Sequence, residues 1–406
     1  MEVRLLPDKL AKRQREIEPF QFRERREAGN WRAMDGRLNR EAARPGFDDS
    51  SWRRFAVNDT WGGRDATLWM RTRIAIPPEW AGQRVALRLR LGGEALVYLN
   101  GRALQGVDDN HTEVELSSVL APGEEAFLAV EAWSGMGSET HAFRESQLVV
   151  IDPPVRRFVL DLQAARELAD AVSAESPLRE AILRAADRAV DRVDYLHKGS
   201  ESFRSSVEEA SRLLRDELSR LAAEYGPRGQ LHLIGHAHID LAWLWPIRET
   251  RRKAGRTFAT VLQLMRAFPP YYFGQSQPQL YEWLKEDYPE IYEGIRRRVA
   301  EGRWEPLGAL WVESDCNLSG GEALVRQVVY GKRFFRREFG YDSRVAWLPD
   351  AFGFTWSLPQ ILRKAGVEYF VTTKISWNQF NRFPYYLFWW EGADGSRVLA
   401  HFYFNP

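Results

Sequence analysis

The spacing of apolar positions changes twice along the chain and divides it into three sections. Between about Trp31 and Ile151 apolar and polar residues alternate in short runs, such as Leu68-Trp69-Met70-Arg71-Thr72-Arg73-Ile74, Val85-Ala86-Leu87-Arg88-Leu89-Arg90-Leu91 and Ala95-Leu96-Val97-Tyr98-Leu99. Asn100-Gly101 and Pro122-Gly123 punctuate these runs as turns, and the combination predicts hairpins in an all-β, jelly-roll-like sandwich. From Leu160 to Tyr225 the period becomes helical, with Leu162, Ala165, Leu168 and Ala169 on one face. Ser206-Val207-Glu208-Glu209 reads as a capping box opening a second long helix. After Gly226-Pro227-Arg228-Gly229 strand and helix patterns alternate. Strands are predicted over 231–235, 271–275, 304–311, 344–348 and 368–373, and helices near 249–267, 279–301, 321–339 and 358–365. Such alternation implies a parallel sheet with crossover helices, open or closed into a β/α-barrel-like form. The expected division is therefore a β-sandwich domain with an amino-terminal extension over 1–155, a helical linker section over 156–228 and an α/β section over 229–406.

Composition removes several function classes. The 57 Lys+Arg balance 56 Asp+Glu to a net charge of +1, so no overall field draws the chain to nucleic acid or to an anionic membrane. No stretch nears the roughly 18 consecutive apolar residues of a membrane span. The lone cysteine, Cys316, excludes an internal disulfide, and Met1 to Lys9 lack the apolar core of a secretory signal; a reducing, cytoplasmic setting is expected. The four tryptophans Trp52, Trp61, Trp69 and Trp133 of the sandwich could stack on sugar rings or fill its core.

Ligands of α/β units sit at the carboxyl ends of the strands, and the chemistry-bearing residues fall there. His236-Ala237-His238-Ile239-Asp240 follows the first predicted strand, and alternation along an extended segment would project His236, His238 and Asp240 to one side. Imidazole and carboxylate suit zinc or a similar divalent ion, although a hydrogen-bonded structural cluster would look the same. Glu313 and Asp315 end the third strand; an ionised Asp315 near a cation could ligate it and attack carbon. Glu313 is either a second functional carboxylate or the partner of a basic group such as Arg326. Asp350, in Leu348-Pro349-Asp350-Ala351-Phe352-Gly353, is either a site residue or an ordinary helix cap.

Four segments in order then resemble one family. Gly235-His236-Ala237-His238-Ile239-Asp240-Leu241-Ala242-Trp243-Leu244-Trp245, Trp311 to Asn317, Leu348 to Gly353, and Lys374-Ile375-Ser376-Trp377-Asn378-Gln379-Phe380-Asn381 are similar to the α-mannosidases of glycoside hydrolase family 38, in the branch with cytosolic and bacterial enzymes. The resemblance implies His238, Asp240 and Asp315 as ligands of one Zn2+ per chain, with Co2+ an alternative, and Asp315 also as nucleophile. It implies Trp243 beneath the bound mannose and Asp350 lining the sugar site, and it leaves His236 outside the ligand set. The implied activity is hydrolysis of terminal α-linked mannose from an α-mannoside oligosaccharide with retention, through a covalent mannosyl-aspartate. It leaves open whether the protein forms a homo-oligomer.

The same resemblance places the general acid and a further histidine ligand beyond Pro406, so the catalytic section is expected to be truncated and the chain, alone, poorly active. Two other readings stand beside it. One is a metal-dependent hydrolase of deacetylase type, in which the metal generates hydroxide. The other is a catalytically impaired carbohydrate-binding fragment whose sandwich holds the glycan.

Overall fold

The computed structural model describes residues 5–226, 229–381 and 383–403. Pro227 and Arg228 of the expected junction, Met1–Arg4 and the ending Phe404–Pro406 lie outside the described residues.

Helix α1 (Leu6–Ile17) precedes two antiparallel sheets. One orders the strands Phe22–Glu27, Glu145–Ile151, Val85–Arg90 and Glu113–Glu115. The other orders Arg53–Arg54, Arg32–Asp35, Thr67–Ala75, Glu125–Trp133, Glu94–Leu99 and Arg102–Val107. Alternation sends Leu68, Met70, Val97, Leu128 and Val130 of the second sheet and Leu87, Leu89, Leu148 and Val150 of the first into one shared core. The expected Asn100-Gly101 hairpin forms between 94–99 and 102–107, with φ of 51° and 82° at its two turn residues. This left-handed pair matches the twist of the flanking strands. Trp52, Trp61, Trp69 and Trp133 are all buried.

The six-stranded sheet is covered on its second face as well. Trp69, Leu96, Tyr98, Phe127 and Ala129 belong to a separate core with Ala254, Phe258 and Ala259 of helix α5 (Ile247–Ala267). Burial is therefore almost continuous along 67–74 and 126–133. Helices α2 (Pro153–Ala171), α3 (Pro177–Val190) and α4 (Glu201–Tyr225) share an apolar cluster with Leu6, Leu10 and Ile17 of α1. The second long helix begins earlier than the capping box implied: Ser200 caps α4 by accepting from Phe203 N at 3.2 Å. Ser206 lies inside the helix, where its hydroxyl donates to the Phe203 carbonyl.

The third section contains α5 (Ile247–Ala267), α6 (Pro278–Asp287), α7 (Pro289–Ala300), α8 (Gly321–Phe339) and α9 (Leu358–Lys364). The single helix expected over 279–301 is broken at Tyr288-Pro289, because proline cannot donate to the preceding turn. Strands Phe273–Gln275 and Trp304–Pro306 pair in parallel. Val345–Trp347, Tyr369–Thr372 and Arg397–Phe402 form a second parallel set, edged by the antiparallel strand Leu387–Glu391. Among the described residues these remain two sheets, so no closed barrel is formed.

The strand expected over 231–235 does not form; only Gly235 bridges to Phe273, and Leu231, Leu233 and Ile234 are exposed. An apolar run of that kind is buried only with neighbours on both sides, and this segment has a single point of pairing. The strand expected over 304–311 stops at Pro306, and residues 307–319 continue as loop.

The sandwich and α5 are joined by charge as well as by packing. Glu94 accepts from Lys253 at 2.6 Å and from Arg256 at 2.8 Å, while Arg256 also reaches Glu249 at 2.6 Å and Arg252 reaches Glu131 at 2.9 Å. Glu249 and Arg256 are buried, and such charges are tolerated only when paired. This network fixes the start of α5 and, through it, the segment that precedes the helix.

Candidate metal centre and active site

The segment 236–240 is extended rather than strand-paired, yet its side chains alternate as expected. Ile239 is buried in the core under α5, and His238 and Asp240 face the opposite way. Thr250, in the first turn of α5, donates to the carbonyls of Leu241 at 2.6 Å and Asp240 at 3.3 Å, and the Trp245 indole donates to Thr250. Helix and loop are thereby locked together.

His238 is the centre of the cluster. Its Nε2 lies 3.3 Å from Asp240 Oδ1 and 3.3 Å from Asp350 Oδ2, and its Nδ1 lies 3.1 Å from Glu313 Oε1. Burial works against the imidazolium, but Glu313 and Asp240 prevail and raise the His238 pKa. One donor atom each from His238, Asp240 and Asp350 falls within 4.8 Å of the others, which makes this a group able to hold a metal ion. Bonds of about 2.0–2.1 Å to a tetrahedral ion separate its ligands by about 3.3–3.4 Å, the spacing His238 Nε2 has to both aspartates. The nitrogen-and-carboxylate donor set and its spacing therefore fit zinc.

Glu313 is buried, with a side chain 7% exposed. Burial raises its pKa against the lowering effect of His238. It pairs with His238 and not with Arg326, which is bound to Glu322. Asp315 lies at the surface, where its Oδ1 accepts from the backbone N–H groups of Leu318 and Asn317, both at 2.8 Å. Those two bonds hold its carboxyl below the usual aspartate range. Among the described residues its Oδ2 carries no hydrogen bond or ion pair.

A cavity of about 240 Å³ brings together His238, Asp240, Glu313, Asp315, Asp350 and Phe352. Of the site residues that the resemblance implied, only Trp243 is absent from its lining; the ring is 67% exposed and edge-on to Trp245. The donor cluster takes Asp350, read from the sequence as lining the sugar site, where the resemblance implied Asp315. Asp350 also receives Lys374 Nζ at 2.5 Å.

His236 is accounted for differently. Its Nδ1 donates to the Gly274 carbonyl at 2.8 Å and its Nε2 accepts from the Trp347 indole at 3.1 Å. Both ring nitrogens are committed, and burial lowers the pKa to about 4, so the ring is a neutral structural element.

Sequence reasoning missed Gln277 and assigned Lys374 no role. Gln277 stands in the left-handed region at φ 66° and bridges two loops of the site, accepting from Glu313 N at 3.1 Å and donating to Ile239 O at 2.8 Å. Its only sequence clue is its place in Gln275-Ser276-Gln277-Pro278, just past a strand and before a helix-opening proline.

An antiparallel sandwich in front of an α/β unit whose loops gather a group able to hold a metal ion defines the class: a multidomain protein with its candidate site in the α/β part. Residues 34–164 match the alpha-mannosidase jelly roll domain, and residues 228–406 match the N-terminal domain of glycosyl hydrolases family 38. The chain thus carries a family 38 N-terminal domain behind an alpha-mannosidase jelly roll domain. Alpha-mannosidase 2C1 of Homo sapiens is 35% identical over 370 residues, covering 85% of this chain and 34% of the relative. Alpha-mannosidase G of Dictyostelium discoideum is 32% identical, covering 85% and 33%, and the alpha-mannosidase of Saccharomyces cerevisiae is 30% identical, covering 86% and 34%. The chain thus spans about a third of the length of these relatives. An alpha-mannosidase structure from Enterococcus faecalis V583 aligns with a TM-score of 0.37 at 21% identity, over 42% of this chain and 19% of that one. No helix among the described residues is long and apolar enough to cross a membrane.

Proposed function

We propose that residues 229–406 carry the metal-binding and nucleophile-bearing part of the active site of a retaining α-mannosidase, which removes terminal α-linked mannose from oligosaccharides. The observation that carries this reading is the single cavity shared by the His238, Asp240 and Asp350 donors and the anchored carboxylate of Asp315. Similarity over 85% of the chain to proteins named alpha-mannosidase supports it.

His238 and Asp240 would hold a zinc ion, or cobalt in its place, together with Asp350 and, as the resemblance implies, Asp315. When bound, the ion supplies a Lewis-acidic anchor for sugar hydroxyls. Asp315 is ionised because two backbone N–H groups hold it so, and its free Oδ2 is the attacking atom. It forms an ester bond to the anomeric carbon as the bond to the leaving oxygen breaks, and that oxygen takes a proton from a general acid. Water then attacks the same carbon, the ester breaks, and mannose leaves with its configuration retained. Trp243 offers an exposed indole face to sugar C–H groups. A single, buried cysteine suits work in the reducing cytoplasm.

A fluorinated mannosyl fluoride tests the nucleophile directly, because fluoride departs without needing a proton. The expected result is one fluoromannosyl unit covalently attached to the peptide bearing Asp315, and none in Asp315→Asn. Labelling of another carboxylate would overturn the assignment. Chelator-sensitive release of acetate from an N-acetylated sugar, with no covalent label, would replace it by the deacetylase reading, which the completeness of the donor cluster without Asp315 favours.

A further inference from the structure

Glu313 has no solvent-facing task, yet it is built into the site from three directions. Its Oε1 meets His238 Nδ1 at 3.1 Å and Ser276 Oγ at 3.4 Å, and its Oε2 is buried without a partner. Its backbone N–H is held by Gln277 Oε1, and the amide nitrogen of the same Gln277 donates to the Ile239 carbonyl, between His238 and Asp240. Gln277 is itself 3% exposed and adopts a left-handed backbone, a conformation that for a non-glycine residue persists only where the surroundings dictate it. One amide thus ties the segment bearing His238 and Asp240 to the segment bearing Glu313 and Asp315.

An ionised carboxylate only accepts, so Glu313 calls for an N–H at His238 Nδ1; Nε2, the atom facing Asp240 and Asp350, is then the nitrogen that gives up its proton and turns its lone pair to an arriving cation. We propose that Glu313 is a positioning residue: it fixes the tautomer and ring orientation of His238 so that Nε2 is presented to a divalent cation, and Gln277 holds the two in register. This rests on the metal reading of the site given above. Glu313 is not among the donors that converge, and it meets the ring nitrogen remote from them. Orientation of a ligating histidine by a carboxylate is worth about 10- to 100-fold in metal affinity.

The experiment is calorimetric titration of the chain with Zn2+, with the visible absorption of bound Co2+ as a signature of ligand geometry, for wild type, Glu313→Ala, Glu313→Gln and Gln277→Ala. Folding is checked by circular dichroism of each variant without metal. The expected result is a roughly 10- to 100-fold loss of affinity in Glu313→Ala with an altered Co2+ spectrum. Glu313→Gln, whose amide oxygen still accepts from Nδ1, should recover part of the loss, and Gln277→Ala should weaken binding while the chain stays folded. Unchanged affinity and spectrum in both Glu313 variants, with wild type binding, would overturn the proposal and leave the metal reading standing. Failure of wild type to bind either ion would overturn both. Unfolding of both Glu313 variants would assign the residue to the core and overturn the positioning role.

Discussion

Lys374 Nζ lies 2.5 Å from Asp350 Oδ1 and 3.4 Å from the centroid of the Trp377 ring. The ammonium therefore occupies the same carboxylate that offers its other oxygen to the donor cluster. An arriving divalent cation meets a like charge a few ångströms away, a repulsion that partial burial leaves incompletely screened. Lys374→Met should tighten Zn2+ binding by roughly tenfold in calorimetry, at the order of magnitude set by one nearby charge. Weaker binding would instead make the lysine the group that holds Asp350 in place.

Asp350 and Asp315 can be ranked as ligands. Asp350 Oδ2 already stands 3.3 Å from His238 Nε2, whereas Asp315 spends Oδ1 on two backbone N–H groups. Zinc content after equilibrium dialysis should fall more in Asp350→Asn than in Asp315→Asn, and His238→Ala should retain least. The reverse order of the two aspartates would put Asp315 in the ligand set and Asp350 on the sugar alone.

Gly331 of α8 lets the helix touch the loop that leads to the site. A Cβ at this position would overlap the carbonyl oxygen of Ala309 and the carbonyl carbon of Leu310, both backbone atoms that cannot swing aside. Gly331→Ala should destabilise the chain by about 1–3 kcal/mol in urea and displace the loop toward Glu313 and Asp315, weakening metal binding with it. Full metal affinity in a destabilised variant would show that the loop is positioned from elsewhere.

Glu338 supplies a pH dependence away from the site. Desolvation opposes its charge, but bonds from Tyr292 at 2.6 Å, Arg337 at 2.8 Å and Lys285 at 3.0 Å outweigh that and hold its pKa at about 2. The unfolded chain takes up this proton near the ordinary value of about 4.3. Stability from this group is thus complete above that pH and is lost as the pH falls toward 2. In denaturant titrations Glu338→Gln should be less stable than wild type by roughly 2–3 kcal/mol at pH 7, with the difference closing between pH 4.5 and 2. A difference independent of pH would assign the effect to packing.

Much of this molecule is legible in local patterns. Asn100-Gly101 specifies its hairpin because only residues tolerant of positive φ fit the turn. The helix expected over 321–339 has those bounds, set by glycines at both ends. Tyr288-Pro289 carried a helix break in plain view that periodicity alone overlooked. The alternation that sets His238 and Asp240 on one side of an extended segment was also readable, because a period of two needs only a few consecutive residues.

Local sequence carries the alternation of elements, the turn chemistry and the inventory of carboxylates and imidazoles in the segments that line the cavity. Which of these groups meet was settled by long-range packing. It paired Glu313 with His238 rather than Arg326, delivered Asp350 to the donor cluster, committed both nitrogens of His236, and set Gln277 in a left-handed conformation as a brace. It also covered the second face of the six-stranded sheet with α5 and left 231–235 unpaired but for Gly235. The reason is range: propensity and periodicity act over a few residues, whereas each of these pairings joins segments tens to hundreds of residues apart whose approach is fixed by the packing of the whole core.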